Sequence, residues 1–388
     1  MAFSTHTLEL RPYPGEDEVS YAKRKAYYLR EVAPRIKYHL AFLDKNLVDA
    51  KPLDASEQEE IAAFWSTFLS RELQDVFKIS EGCSFYKSAV SGKALLSHFM
   101  PDLFYESFID EYFSNPQYSR PFDDKYLYDV YFHDINRPTT LFRKVRDQFV
   151  DVSYRPISSN KAIGIAIDNG EVVLKVGKFS EGGRGVMFWN AQDDSEESLL
   201  DFLNHSTNIV CQTVIKQHAE LSRLNSSSVN TVRLMTLSFG NNVHVLSSVI
   251  RMGVNGSRVD NASSGGIVCG LKDDGQLKDV AFDTTGKMYL KHPQGTIFNS
   301  VTVPNFSQCV DIAISLANRF STISRLISWD FAIDEAGQPM LIEFNLSWGQ
   351  LDFHQLCNGP IFGDMTEDVL EEVFANSYTL KSIIKSYQ

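Results

Sequence analysis

Trp329-Asp330-Phe331-Ala332-Ile333-Asp334-Glu335-Ala336-Gly337-Gln338-Pro339-Met340-Leu341-Ile342-Glu343-Phe344-Asn345 is the stretch that decides the fold. Two apolar arms, 328–333 and 340–344, flank the turn-forming run Glu335-Ala336-Gly337-Gln338, and this predicts a β-hairpin. Side chains alternate faces along a strand, so Glu343 and Asn345 point the same way. In the paired strand Asp330 falls opposite or diagonal to them. Three oxygen-bearing side chains then meet beside Leu341, Ile342 and Phe344. Hard oxygen donors suit Mg2+, which keeps part of its water and shares its shell with phosphate oxygens. Asp330, Glu343 and Asn345 are therefore the candidate metal ligands. The alternative is a solvated edge hairpin; it is the weaker one, because Glu343 and Asn345 continue an apolar strand and Gly349 follows soon after.

Working outward, 232–239 and 243–250 form a second hairpin across Gly240-Asn241-Asn242. Residues 307–326 carry Val310, Ala313, Ile314, Ala317 and Phe320 on one helical face, and 364–386 close the chain as one or two helices. Strands are also expected at 172–176 and 209–215. The first ~120 residues read as mostly helical on their periodicity. An irregular arm covers 1–16, and a helix covers 17–47 with Pro34 as a break or kink. Ser56 and Glu59 have capping-box spacing ahead of Ile61, Phe64, Trp65, Phe68 and Leu69. The aromatic run Phe104, Tyr105, Phe108, Tyr112 and Phe113 reads as core. Strand texture follows, and many antiparallel hairpins with interspersed helices give an α+β class. The expected organisation is a helical region at 1–120, serving as a substrate cap or in dimerisation, a small lobe at 121–210 and a large lobe at 211–388.

The hairpin resembles the metal-binding signature of the ATP-grasp superfamily, D-x(12)-E-x-N followed by a Gly-containing loop, with the spacing of D-alanine–D-alanine ligase type enzymes. It is more closely similar to the sugar-transfer-associated branch, whose W-D-x-A-I…G…L-I-E-x-N…Q pattern is met by Trp329, Asp330, Ala332, Ile333, Gly337, Leu341, Ile342, Glu343, Asn345 and Gln355. The likeness runs from about residue 123 to residue 374. It implies an ATP-grasp fold, two antiparallel α+β lobes enclosing ATP, with ATP and Mg2+ as cofactors. It also implies that Lys175, at the end of V-V-L-K-V, and Lys125, in D-D-K-Y-L-Y, meet phosphates. Gly182, Gly183 and Gly185 would bring backbone N–H groups onto phosphate oxygens at little steric cost. Gln212 and Ile215 would form the adenine hinge, with Ile342 a further nucleotide contact. His218 would lie near the ribose or phosphates, a helix-start surface histidine being the equal alternative.

The order Arg233, hairpin, Arg251, then Asn261-Ala262-Ser263-Ser264-Gly265-Gly266 resembles that of the ribosomal-protein glutamate ligases. The resemblance implies that Arg251 and Asn261, with Arg233 close behind, stabilise an acyl phosphate and the tetrahedral oxyanion that follows, since fixed donors do this without reorganising. Structural ion pairs are the alternative for these arginines. One departure stands out: the D-alanine–D-alanine ligases carry an arginine two residues before the first metal ligand, where this chain has Ser328. The implied activity is a carboxylate–amine ligase acting through an acyl phosphate. Its small-molecule carboxylate and amine would include a sugar or nucleotide-sugar, from surface-polysaccharide synthesis. A phosphotransferase on the same fold and a non-catalytic nucleotide-binding partner are the alternatives.

The 388 residues carry a formal net charge of −12, which argues against nucleic acid or an anionic membrane as the main partner. No G-x-G-x-x-G, P-loop, G-x-S-x-G or H-E-x-x-H pattern occurs. The five cysteines are widely spaced, so neither a disulfide framework nor a zinc site is expected. The N-terminus lacks an apolar h-region and no long apolar span follows, so the expected location is cytoplasmic, with a homodimer left open.

Overall fold

Strands that alternate apolar residues toward two faces must bury both, and the chain does so in layers. The computed structural model describes residues 10–46, 52–90, 95–122, 124–177, 185–261 and 265–387. The first sheet contains β1 (Thr140–Val145), β2 (Gln148–Val150), β3 (Pro156–Ile157), β4 (Glu171–Val176), β5 (Val186–Asn190) and β6 (Asn208–Thr213), in the order β3-β2-β1-β6-β4-β5. The second contains β7 (Thr231–Phe239), β8 (Asn242–Met252), β9 (Ile267–Leu271), β10 (Leu277–Phe282), β11 (Met288–Tyr289), β12 (Leu326–Ile333) and β13 (Pro339–Asn345), in the order β11-β10-β9-β8-β7-β12-β13. All pairings in both sheets are antiparallel. Both expected hairpins form.

One face of the second sheet, with Val232, Leu234, Ile250, Cys269, Trp329 and Phe331, packs on the helix Phe306–Phe320. The other face, with Met235, Leu237, Val249, Val268 and Phe282, shares a core with the N-terminal helices and the closing helices Thr366–Asn376 and Tyr378–Ser386. Every residue of β12 is buried. The first sheet has a smaller core of its own, closed by the helices Ser159–Asn169 and Glu196–His205. All five cysteines are free. Among the described residues no helix is long and apolar enough to cross a membrane.

Three local expectations change. Pro34 does not break its helix. The segment Tyr28–Val32 is π-helical and Ala33 donates its N–H to the Tyr28 carbonyl, a wider turn that makes room for a ring lacking an N–H, so Glu18–Tyr27 runs on into Ala33–Asn46. The capping box belongs to Asp54 and Glu57, not Ser56 and Glu59: Glu57 N donates to Asp54 Oδ1 (3.0 Å) and Asp54 N to Glu57 Oε2 (2.8 Å). Two spacings satisfied the same pattern, and the carboxylate two residues earlier holds it. Strand structure begins only at Thr140, because the helical turns Lys125–Leu127 and Tyr128–Tyr131 precede it. Of the arm at 1–16, residues 1–9 lie outside the described residues.

Gln355, the last residue of the sequence pattern, proves to be a clamp. It is fully buried; its Oε1 accepts from the N–H groups of Met100 (2.9 Å) and Ile361 (3.3 Å), and its Nε2 donates to the Met100 carbonyl (2.9 Å). Replacing it with leucine leaves three backbone groups unpaired. Gln355→Leu is expected to cost about 3 kcal/mol in urea unfolding, since a buried unsatisfied backbone group carries its desolvation penalty.

Candidate active site

The site is assembled from four neighbouring strands, β8, β7, β12 and β13. In the β12–β13 register Asp330 faces Glu343 and Ser328 faces Asn345, and across β7 Asp330 faces Arg233. A bulge at Ile342 separates the pair Asp330–Glu343 from Phe331–Leu341, and such a bulge re-aims side chains beside it. Arg233 grips Asp330 with two hydrogen bonds, Nε to Oδ1 and Nη2 to Oδ2, each 2.7 Å, and both side chains are buried. Arg251, on β8, adds Nη1 to Oδ2 at 3.4 Å, and donates from Nη2 to Asp260 (3.2 Å) and to Asn261 Oδ1. Burial alone would push the Asp330 carboxyl up; the two guanidinium groups overcome this and hold it below the usual carboxylate range. Both arginines thus make ion pairs, and the acid they share is the first candidate metal ligand.

The loop after β13 closes over this centre. Trp348 and Gln350 both have left-handed backbones (φ 60° and 62°), costly for residues with a Cβ. Between them, any side chain on Gly349 would lie 2.6 Å from Ser328 Oγ. The small Ser328 fits this approach, where an arginine would collide with the loop. Gln350 in turn accepts from Arg233 Nη1 at 2.7 Å.

From the other sheet come the lysines. Lys125 Nζ lies 2.6 Å from Glu343 Oε1, and its backbone N–H donates to the Gly177 carbonyl (3.2 Å) at the end of β4. Lys175, on β4, is drawn down to about 8, first by burial, then by the charges of Lys125 and Arg137, with Glu343 opposing. Arg137 is a member that sequence reading missed. Its side chain is 7% exposed, its guanidinium lies 5.0 Å over the Tyr128 ring, its Nε is 3.7 Å from Asp129 Oδ1, an ion pair too long for a hydrogen bond, and its Nε and Nη1 are buried without hydrogen-bond partners. Burial lowers it to about 10. No spacing could mark it, since its neighbours are reached only through the fold. The carbonyl of Gly185 (φ 77°) accepts from the Val176 N–H at the base of the β4–β5 turn, while Gly182 and Gly183 lie outside the described residues.

Between the sheets a pocket of about 320 Å³ is lined by Thr213, Val214, Ile215 and Lys216 on one side and by Asp334, Ala336 and Met340 on the other. Ile215 therefore faces the inter-sheet cleft. Gln212 does not: it is 4% exposed and its Nε2 turns to the Pro138 carbonyl (3.4 Å) and Thr140 Oγ1 (3.5 Å) on β1. His218 is the N-cap of Ala219–Ser222, its Nδ1 accepting from Glu220 N, and its own N–H donates to the Ile333 carbonyl. Ile342 is the half-buried bulge residue.

A family model for the sugar-transfer-associated ATP-grasp proteins matches residues 104–369. The chain belongs to that family. Its fold is accordingly an α+β ATP-grasp fold. Among solved structures, the ATP-grasp ligase PsnB complexed with a minimal precursor aligns at 12% identity and TM-score 0.38, over 67% of this chain and 64% of that one. D-alanyl-alanine synthetase A from Vibrio cholerae aligns at 11% and 0.36, over 66% of each chain. L-amino acid ligase from Bacillus licheniformis aligns at 13% and 0.38, over 83% of this chain and 61% of that one. The chain thus spans less than two thirds of the length of some of these neighbours. Among curated proteins none matches.

The donor set of this ATP-grasp chain fits Mg2+: two carboxylates and an amide from adjacent strands, all hard oxygen donors. Asn345 belongs to the same centre, its side-chain amide lying within hydrogen-bonding reach of the Asp330 carboxylate. No group of three His, Cys, Asp or Glu suited to a metal exists among the described residues; the side-chain oxygen of Asn345 would be the third donor beside Asp330 and Glu343. Asp330→Asn should leave two buried guanidiniums undercompensated and cost about 3–5 kcal/mol. Adding Arg233→Met should recover part of that loss in denaturant titrations. Because the Asp330 carboxyl is held down, its stabilisation is present above the unfolded carboxylate range and is lost as pH falls through its folded value. The acid limb of the stability profile should therefore flatten in Asp330→Asn.

Proposed function

We propose that the protein is an ATP-dependent carboxylate–amine ligase that forms an amide through an acyl phosphate. The observation that carries this reading is the meeting of two opposite charge sets in one cleft. Lys125, Lys175 and Arg137 approach from the first sheet, and Asp330, Glu343 and Asn345, framed by Arg233 and Arg251, from the second. A polyphosphate needs the former, and a divalent ion on that polyphosphate needs the latter.

The lysines and Arg137 hold phosphate oxygens in place as point charges. Asp330, Glu343 and Asn345 would hold Mg2+, which supplies charge neutralisation on the transferring phosphoryl group. Ile215 and Met340 give the adenine an apolar seat in the pocket between the sheets. The substrate carboxylate attacks the γ-phosphorus, ADP leaves, and the acyl carbon is then open to an amine. As the amine adds, negative charge develops on the acyl oxygen, and Arg251 and Asn261, already hydrogen-bonded to each other, are the donors placed to meet it. The tetrahedral centre collapses with loss of phosphate. Membership of the sugar-transfer-associated family supports a sugar or uronic acid as one partner, with an amino acid or amine as the other, in polysaccharide synthesis.

Calorimetry of Mg·ATP binding tests the reading. Wild type should bind, and Glu343→Gln should bind at least about tenfold more weakly, the loss of one charged contact. Well-folded wild type that ignores Mg·ATP would sink the ligase. Turnover with the correct pair should release ADP, phosphate and amide in equal amounts, whereas a phosphotransferase would release no phosphate.

A second outcome follows from Lys175. Its folded value near 8 means that it is partly neutral in the empty cleft at pH 8.5. Phosphates raise it again, so Mg·ATP binding there should take up protons, read as a dependence of binding heat on buffer ionisation enthalpy. The uptake should shrink toward pH 7, where the lysine is already charged, and vanish in Lys175→Met.

A further inference from the structure

A second cluster of charge lies beyond the proposed nucleotide cleft, where the N-terminal helices meet the helix Leu351–Asn358. Asp102, Glu106 and Asp110 are spaced four apart on consecutive helical turns and are all buried (5%, 3% and 2% exposed). The turn that carries Glu106, Tyr105–Ile109, is π-helical, a distortion frequent at functional sites. Asp352, half-buried, adds a fourth carboxylate whose charge acts on both Asp102 and Glu106. Asp102 accepts from Tyr86 Oη (2.5 Å); Asp110 accepts from Ser114 Oγ (3.0 Å) and lies 3.5 Å from Arg35. Glu106 Oε2 is buried with no partner.

The charges do not balance. Four carboxylates face one guanidinium of their own, Arg35, and Arg233 at the Asp352 end is already committed to Asp330. Burial pushes all four upward, and repulsion from the neighbouring acids adds to it at Asp102 and Glu106; Asp102 rises to about 8 and Asp110 and Asp352 to about 6. Carboxylates so placed either keep protons or receive a cation. The cluster offers no metal-binding group among the described residues, so the fitting cation is an organic ammonium, which needs hydrogen-bond acceptors rather than a coordination shell. The position is also informative. Asp352 follows two residues after Gln350, the acceptor of Arg233, on the β7 side of Asp330, whereas the lysines meet Glu343 on the β13 side. At the Asp110 end of the row stands Trp348, 37% exposed, its backbone N–H donated to Asp110 and its ring stacked on His39 at 5.6 Å.

We propose that Asp352, Glu106 and Asp102 form the subsite for the ammonium group of the amine substrate, a primary amine whose carbon skeleton runs toward Trp348. The N-terminal helical region thereby supplies one wall of the acceptor site. The acceptor role rests on the ligase reading; the ammonium site itself does not. In the reaction the ammonium gives one proton to Asp352 and its freed lone pair attacks the acyl carbon. The C–N bond forms, the second N–H proton is shed to solvent, and the C–O bond to phosphorus breaks as inorganic phosphate leaves.

The test uses the full chain and a minimal probe, ethylammonium, with ethanol as its neutral counterpart. Each is titrated calorimetrically, with and without saturating Mg·ATP. Saturable binding of ethylammonium, absent for ethanol and weakened about tenfold in both Glu106→Gln and Asp352→Asn, is the expected result. Both variants exchange a carboxyl for an amide of equal size, and each should bind Mg·ATP as wild type does, which shows that it is folded. Ethylammonium heats matched by ethanol, or unchanged in both variants, would overturn the subsite while leaving Mg·ATP binding, and so the ligase reading, standing. Ethylammonium binding by a protein that ignores Mg·ATP would do the reverse: the cation site holds and the acceptor role falls.

Discussion

Asp330 is the residue on which the rest of the centre depends. It is a carboxylate under a sheet whose neighbouring strands each present an arginine, and neither sign could be buried there without the other. The pairing fixes three strands in one register at the point where chemistry is proposed, and it leaves Oδ1, with its single arginine bond, further lone-pair capacity. Glu343 plays the complementary part: it stands on the edge strand, half-open, and meets cations from the opposite sheet. One acid locks the second sheet internally and the other joins the two sheets.

The fold was largely legible because its decisive elements are local. The apolar arms around Gly337 and around Gly240 could only be hairpins, and the twelve residues between Asp330 and Glu343 fix which carboxylates face each other. What sequence could not show depended on long-range placement. Arg137 sits before a proline in a featureless turn and becomes part of the cleft only when Leu341 N–H bonds to the neighbouring Asn136 carbonyl. The acids at 102, 106 and 110 sit within an aromatic run that reads as core, and it is core; the charges between the rings emerge only when a second helix is laid against them. Gln212 matched the hinge by position, but strand parity turned its side chain toward β1.

Ser328 and Gly349 show how a departure from a relative's pattern can be explained by packing. An arginine at 328 would stand where the backbone of 349 passes, so the exchange of one for the other is a choice between a long cation and a close loop. In this chain the close loop is present, and Arg233, from the adjacent strand, reaches the same acid.

The two-sided burial of the second sheet has a consequence for how the molecule can be divided. The core that includes Met235, Leu237, Val249 and Val268 extends through Ile61, Trp65, Phe77 and Leu380, all outside the matched stretch 104–369. The family segment is thus a lineage unit without being a folding unit. Cut out alone, it would carry the proposed phosphate chemistry on a sheet whose second core has lost part of its apolar side chains, and with no Met100 backbone for Gln355 to hold.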